Sequence, residues 1–147
     1  MASGPATGWR YPLAVSDVGA PSNVVRLQPA RVLIVGSDVR FLRVAAALLS
    51  FEGYSVQSCD RPRELLELVY RLNTDVAVID ASRSVGEAAR AAASLHALPD
   101  PVATVLVVDQ ERSSPAAGVP LISKWGQFDE LSARIGEAYE RRRRTSA

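Results

Sequence analysis

Cysteine, histidine and lysine each occur once among the 147 residues. A lone cysteine, Cys59, cannot form an internal disulfide and suits a reducing compartment. With His96 as the only histidine, a Cys/His zinc site is excluded. Neither residue has catalytic partners in the sequence, and both read as packing residues. No apolar run approaches the about 20 residues that a membrane-spanning helix needs. A basic start followed by an apolar stretch, the mark of a secretory signal, is missing too. Gly36-Ser37 follows an apolar run, but no Gly-x-Gly-x-x-Gly or Walker motif is built on it. These absences predict a cytoplasmic protein without a disulfide, a zinc site or a membrane span.

What is present suits one domain with one core. Hydrophobic residues make up 48% of the chain, a globular rather than a disordered composition. The net charge of +1 conceals an uneven distribution. Residues 31–140 hold eleven basic and fifteen acidic side chains, a net of −4, whereas Arg141 to Arg144 form a run of four positives. That run reads as a solvated helix end, where positive charge suits the helix dipole. With no reading helix in sight, no nucleic-acid role is expected.

Residues 1–30 contain Pro5, Pro12, Pro21 and Pro29 and show no sustained periodicity. They read as a tail, disordered or loosely docked, in which Trp9-Arg10-Tyr11-Pro12-Leu13 is a candidate anchor. At Arg31 the texture changes. Val32–Val35 is a continuous apolar run, as in a strand buried on both faces. A helix is expected from about Asp38 to Glu52, with Asp38 as its cap and Gly53 at its end. Tyr54–Ser58 alternates like a more exposed strand. A helix opening at Pro62 presents Leu65, Leu68, Val69 and Leu72 on one face. Val76–Ile79 is a third strand, Val85–Ala97 a third helix, Val102–Val108 and Val119–Ile122 two further strands. A last helix from about Gln127 buries Phe128, Leu131, Ile135 and Ala138 or Tyr139. Strands alternating with helices imply a parallel sheet covered on both faces. Only Asp109 to Gly118 separates the fourth strand from the fifth, so the fourth helix is expected to be shortened or absent.

Ligands on such sheets bind at the carboxyl ends of the strands. Gly36-Ser37-Asp38, Asp80, Asp109 and Lys124 therefore belong around one crevice. An acid closing one strand, with a lone ammonium closing another, is the constellation of a phosphoryl-accepting site. The plainer reading of Asp80 and Lys124 is an ion pair at the rim of the sheet, and the plainer reading of Asp38 is a helix cap.

Arg31-Val32-Leu33-Ile34-Val35, Leu48-Leu49-Ser50-Phe51-Glu52-Gly53-Tyr54, Asp75-Val76-Ala77-Val78-Ile79-Asp80 and Ser123-Lys124 occur in an order and spacing that resembles the receiver domain of response regulators, the family typified by the chemotaxis receiver. The resemblance covers about residues 31–140, with 141–147 a basic C-terminal end. It implies a flavodoxin-like, doubly wound α/β fold with five parallel strands in the order 2-1-3-4-5. It also implies that Asp80 is the candidate phosphoacceptor, that Lys124 contacts the phosphoryl group, and that Asp109 stands at the Ser/Thr switch position. A magnesium ion would be held by Asp38, Asp80 and the carbonyl of Ser82. Three departures oppose that chemistry. Gly36 and Ser37 fill the places of the metal-binding acidic pair. Asp109 would repel a phosphoryl group; two unit charges about 4 Å apart repel by roughly 4 kcal/mol at an effective dielectric near 20. Trp125 replaces the proline that follows the lysine, and a cis bond there would cost roughly 2.5–4 kcal/mol, so a trans loop is expected.

The leading expectation is a stand-alone, degenerate receiver-like signalling module of two-component or phosphorelay type. It would work by protein–protein contact with a histidine kinase or downstream regulator, or as a homodimer, with no cofactor required. The alternative is a magnesium-dependent aspartyl phosphoacceptor whose only catalysis is self-phosphorylation on Asp80. A weaker alternative is a small-ligand or nucleotide-binding flavodoxin-like domain.

Overall fold

The computed structural model describes residues 29–109 and 121–146. The tail, with its Trp9–Leu13 segment, and the connection on which a short or absent fourth helix was expected lie outside the described residues. The elements run β1 (Arg31–Val35), α1 (Val39–Phe51), β2 (Ser55–Cys59), a 3-10 turn (Pro62–Glu64), α2 (Leu65–Arg71), β3 (Val76–Asp80), α3 (Val85–His96), β4 (Ala103–Val108), β5 (Leu121–Ser123) and α4 (Phe128–Ser146). The five strands are all parallel, in the order β2-β1-β3-β4-β5. This is the flavodoxin-like topology that the resemblance to receiver domains implies. Strand order reverses at β1, whose carboxyl end stands between those of β2 and β3.

The period-two geometry of strands divides the apolar residues between two cores. Val32, Ile34, Val76, Val78, Val105, Val107 and Ile122 face α1 and α4, which contribute Phe41, Leu42, Leu49, Leu131 and Ile135. Leu33, Val35, Ala77, Ile79, Leu106 and Val108 face α2 and α3, which contribute Leu65, Val69, Ala88, Ala92 and Leu95. Two-sided burial explains why the central strands carry unbroken apolar runs. The edge strand β2, buried at no position, alternates instead.

The caps at Asp38 and Gly53 are those the sequence announces, and Ser84 adds one that was not read from it. Asp38 accepts from the Phe41 N–H at 3.1 Å through Oδ1 and opens α1. Gly53, at φ +103°, follows the last turn, a conformation that a side chain would strain. Ser84 caps α3 through the Glu87 N–H.

Three expectations change. Pro62 opens a 3-10 turn, and the α-helix begins only at Leu65. His96 is exposed in the last turn of α3 and is not a packing residue. The arginine run is not simply a solvated end, because α4 continues through it and Arg142 folds back on the sheet. Its Nε donates to the Pro101 carbonyl at 3.0 Å, and its two terminal nitrogens reach Asp75 and Asp100 at 3.1 Å each. Arg142 continues the buried stripe of Leu131, Ile135 and Ala138 at i+3/i+4 spacing.

Candidate functional site

Three carboxylates converge on one ammonium. Lys124 Nζ lies 2.7 Å from Asp80 Oδ2, 3.0 Å from Asp38 Oδ2 and 3.1 Å from Asp109 Oδ1. Asp80 closes β3, Asp38 caps α1, Asp109 follows β4, and Lys124 follows β5, so four segments meet here. The Lys124 backbone fixes the geometry by extending the ladder one residue past β5, its N–H donating to the Val108 carbonyl at 2.8 Å. The side chain is then enclosed, with 2% of it exposed against 6% for Asp80. Its ammonium stands 5.4 Å from the centre of the Phe41 ring.

Burial pushes the Lys124 pKa down, but hydrogen bonds to Asp80, Asp38 and Asp109 outweigh it and raise the group to about 12. The Asp38 carboxyl is held below its usual value by Lys124 first and by the Phe41 N–H second. Asp38 thus acts at both oxygens, Oδ1 as a helix cap and Oδ2 as an ion-pair partner.

Both oxygens of Asp80 are likewise engaged, because Oδ1 accepts from the Ser82 N–H at 2.9 Å. The Ser82 hydroxyl is buried and has no hydrogen-bond partner among the described residues. Gly36 is buried against Asp80, and a Cβ on it would lie 2.6 Å from the Asp80 Cβ. Position 36 is therefore closed to any side chain while Asp80 stays where it is. Ser37 is exposed. Beside Asp80 an open cleft of about 570 Å³ runs between Gly36, Asp60, Arg63, Arg83 and Ser84.

Trp125 follows through a trans peptide, as expected. Its ring meets Phe41 edge-on, with centroids 5.8 Å apart at 85°. The Arg40 guanidinium lies 5.5 Å from its centre. Phe41 and Arg40, which sequence reasoning missed, thus flank the lysine loop. A faint signal exists, since both lie within the first turn after Asp38.

A divalent cation does not fit these residues as they stand. Gly36 and Ser37 supply no carboxylate, and Asp38 and Asp80 are both bonded to Lys124. Among the described residues no group of three or more His, Cys, Asp or Glu side chains is arranged to hold a metal ion. Three acids against one ammonium also leave the cluster with a formal charge of −2, which opposes an approaching anion. Cys59 is half-buried, its Sγ accepting from the Arg61 N–H at 3.2 Å. No helix among the described residues is long and apolar enough to cross a membrane.

No protein-family model matches the chain, and no curated protein matches it in sequence. Solved structures do. A CheY-like response regulator receiver domain protein of Methanospirillum hungatei is 23% identical, with 80% of this chain and 99% of that one covered and a TM-score of 0.66. The signal receiver domain of an HD domain-containing protein from Pseudomonas fluorescens gives 18% identity, 79% and 98% coverage and a TM-score of 0.67. A response regulator of Thermotoga maritima, solved in complex with Mg2+ and BeF, gives 19%, 74% and 98%, with a TM-score of 0.63. The chain thus has the fold of a CheY-like receiver domain, with a lysine bound by three aspartates at the carboxyl end of its sheet.

Proposed function

We propose that this protein is a receiver-like signalling module of the two-component type that works by protein–protein contact and accepts no phosphoryl group. The observation that carries this reading is the binding of Lys124 by Asp38, Asp80 and Asp109 at 3.1 Å or less. An aspartate that attacks a phosphorus atom needs an unengaged oxygen and a surplus of positive charge around the transferring group. Here one oxygen of Asp80 holds Lys124, the other holds the Ser82 N–H, and the surplus is negative. The partner is a protein, either a histidine kinase or a downstream regulator. Exposed apolar side chains on α1 and the lysine loop support a contact surface. Val44 and Leu48 are 39% and 41% exposed, Phe51 91%, and Trp125 46%.

The experiment is incubation of the protein with magnesium and a small phosphodonor, followed by intact-mass analysis. Wild type is expected to gain no mass. A base-labile gain of one phosphoryl group on wild type, lost in Asp80→Asn, would overturn the proposal and establish the self-phosphorylating alternative. Thermal stabilisation by one member of a nucleotide panel would point to the ligand-binding alternative.

A further inference from the structure

We infer that the Lys124 ammonium is this chain's built-in substitute for a divalent cation, so that the carboxyl end of the sheet is closed by a charge the protein carries itself and is indifferent to magnesium and calcium. The inference rests on the reading of this site as one that accepts no phosphoryl group, and it extends that reading from the anion to the cation. Its basis is the disagreement between the residues present and the ion that the fold implies. Three carboxylate oxygens from three separate elements meet at one spot, the Lys124 ammonium; they are the ligand type that hard divalent cations take, although as they stand the side chains are not arranged to hold a metal ion. A cation already occupies that spot. It arrives on the four-carbon stem of Lys124, anchored through the Val108 carbonyl, and its position depends on no free ion concentration.

The distances agree with an ammonium and not with a metal. The three N···O separations of 2.7, 3.0 and 3.1 Å are those of charge-assisted hydrogen bonds. Magnesium and calcium hold oxygen at roughly 2.0–2.6 Å. A metal ion would have to displace the ammonium, leaving a buried lysine without its acids, which is strongly unfavourable. Wild type therefore excludes the ion by occupancy. Removing the ammonium while keeping the bulk of the stem has the opposite effect. The three oxygens then have to close from 2.7, 3.0 and 3.1 Å to roughly 2.0–2.6 Å, by up to about 1 Å; Asp109, 63% exposed, can move, and Asp38, 33% exposed, can turn while its other oxygen keeps the Phe41 N–H. Restoring an acid at position 36 does not open the site by this route. A Cβ there collides with the Asp80 Cβ at 2.6 Å, so Gly36→Asp moves Asp80 rather than adding a ligand to it.

The test is calorimetric titration and thermal unfolding of the full chain, with MgCl2 and CaCl2 set against NaCl of equal ionic strength. For wild type and Gly36→Asp, no saturable heat and no saturable change in Tm are expected. Lys124→Met is expected to melt lower than wild type in NaCl and to regain several degrees in a saturable way with calcium or magnesium. That gain is lost in the double variant with Asp80→Asn. Saturable binding of either ion by wild type, weakened by Asp80→Asn, overturns the inference. So does a folded Lys124→Met that shows no saturable response. If Lys124→Met folds only when a divalent ion is present, the inference is supported. If it folds in neither buffer, Lys124→Gln is taken through the same series under the same criteria. The phosphodonor assay remains independent. Wild type that binds magnesium but takes no phosphoryl group defeats this inference and leaves the functional reading standing, whereas a phosphorylated wild type defeats that reading itself.

Discussion

Replacing Arg142 with alanine is expected to weaken the fold far more than replacing Arg144, two residues further along the same arginine run. Arg142 is 17% exposed at its side chain and joins three points at the amino-terminal edge of the sheet. Its bond to Asp100, itself 75% exposed, contributes at most about 1 kcal/mol. The bond to Asp75, 12% exposed, matters more, because breaking a buried ion pair on one side costs roughly 3–5 kcal/mol when the remaining charge is orphaned. Here it is not orphaned. Asp75 still accepts from the Arg31 N–H at 2.8 Å, with the Arg31 Nε at 3.9 Å. Hydrogen bonds to charged groups contribute roughly 1.5–3 kcal/mol, so about 2–3 kcal/mol is the expected loss for Arg142→Ala. At roughly 4 °C per kcal/mol for a domain of this size, Tm falls by about 8–12 °C. Arg144→Ala, at an exposed position, is expected to stay within about 0.5 kcal/mol of wild type. Circular-dichroism melts at neutral pH, repeated at high salt to screen exposed pairs, give the comparison. Equal and small effects of the two substitutions would refute the reasoning and return the whole run to solvent.

Gly36→Ala forces a Cβ against Asp80 and is expected to cost about 1–3 kcal/mol in denaturant melts; a neutral substitution would mean that Asp80 yields easily. Stability should depend on pH at both ends of the scale. Lys124, raised from 10.5 to about 12, stabilises the fold fully below 10.5, by roughly 2 kcal/mol, and loses that contribution as pH climbs to about 12. Asp38, lowered from 3.8, contributes above 3.8 and loses its share as pH falls through its folded value. The alkaline loss should shrink in the melts of Lys124→Met to the part contributed by Tyr54, whose phenol is pushed above its usual 10.0 by burial, and an undiminished loss in the variant would assign it to other groups. Because Lys124 is the only lysine and its side chain is 2% exposed, native protein should resist acylation there and react once unfolded in urea. Rapid native labelling at Lys124, located by peptide mass mapping, would contradict the burial of the ammonium.

The sheet was legible because burial on both faces imposes continuous apolar runs on β1, β3 and β4, and only central strands of a parallel sheet need them. The ends of elements were less so. β2 runs from Ser55 to Cys59, one residue later than its alternation suggested, because an exposed edge strand carries little patterning. Val102 looked like the start of β4, yet its N–H serves the Leu95 carbonyl at the end of α3. Arg142 was the instructive failure. Its place on the stripe of Leu131, Ile135 and Ala138 was visible, but four consecutive arginines read as one charge block and hid the position. At the site, Asp80 and Lys124 could be paired from the rule that parallel sheets gather chemistry at their carboxyl ends. That Asp38 would use one oxygen as a cap and the other on Lys124 could not be read. A cap motif fixes the backbone, not the direction of the second oxygen.

On the proposed reading, Gly36 and the engagement of Lys124 by three acids are one departure from a phosphoryl-accepting site rather than two, the lysine itself being part of such a site. With no side chain at 36, the Asp80 side chain approaches the Gly36 backbone closely, and it is 6% exposed. An ionised carboxylate so enclosed demands a cation at hydrogen-bond distance, since burying an unpaired charge costs several kcal/mol. Any ligand acid at 36 that might have recruited a soluble ion is sterically barred by the same approach, and Lys124 supplies the charge from β5. The two remaining charges of the cluster then fall to its more exposed acids, Asp38 and Asp109, where water screens them. On the proposed reading, a substitution that reopened position 36 would have to release Lys124 as well, so neither change alone is expected to give the site phosphoryl chemistry.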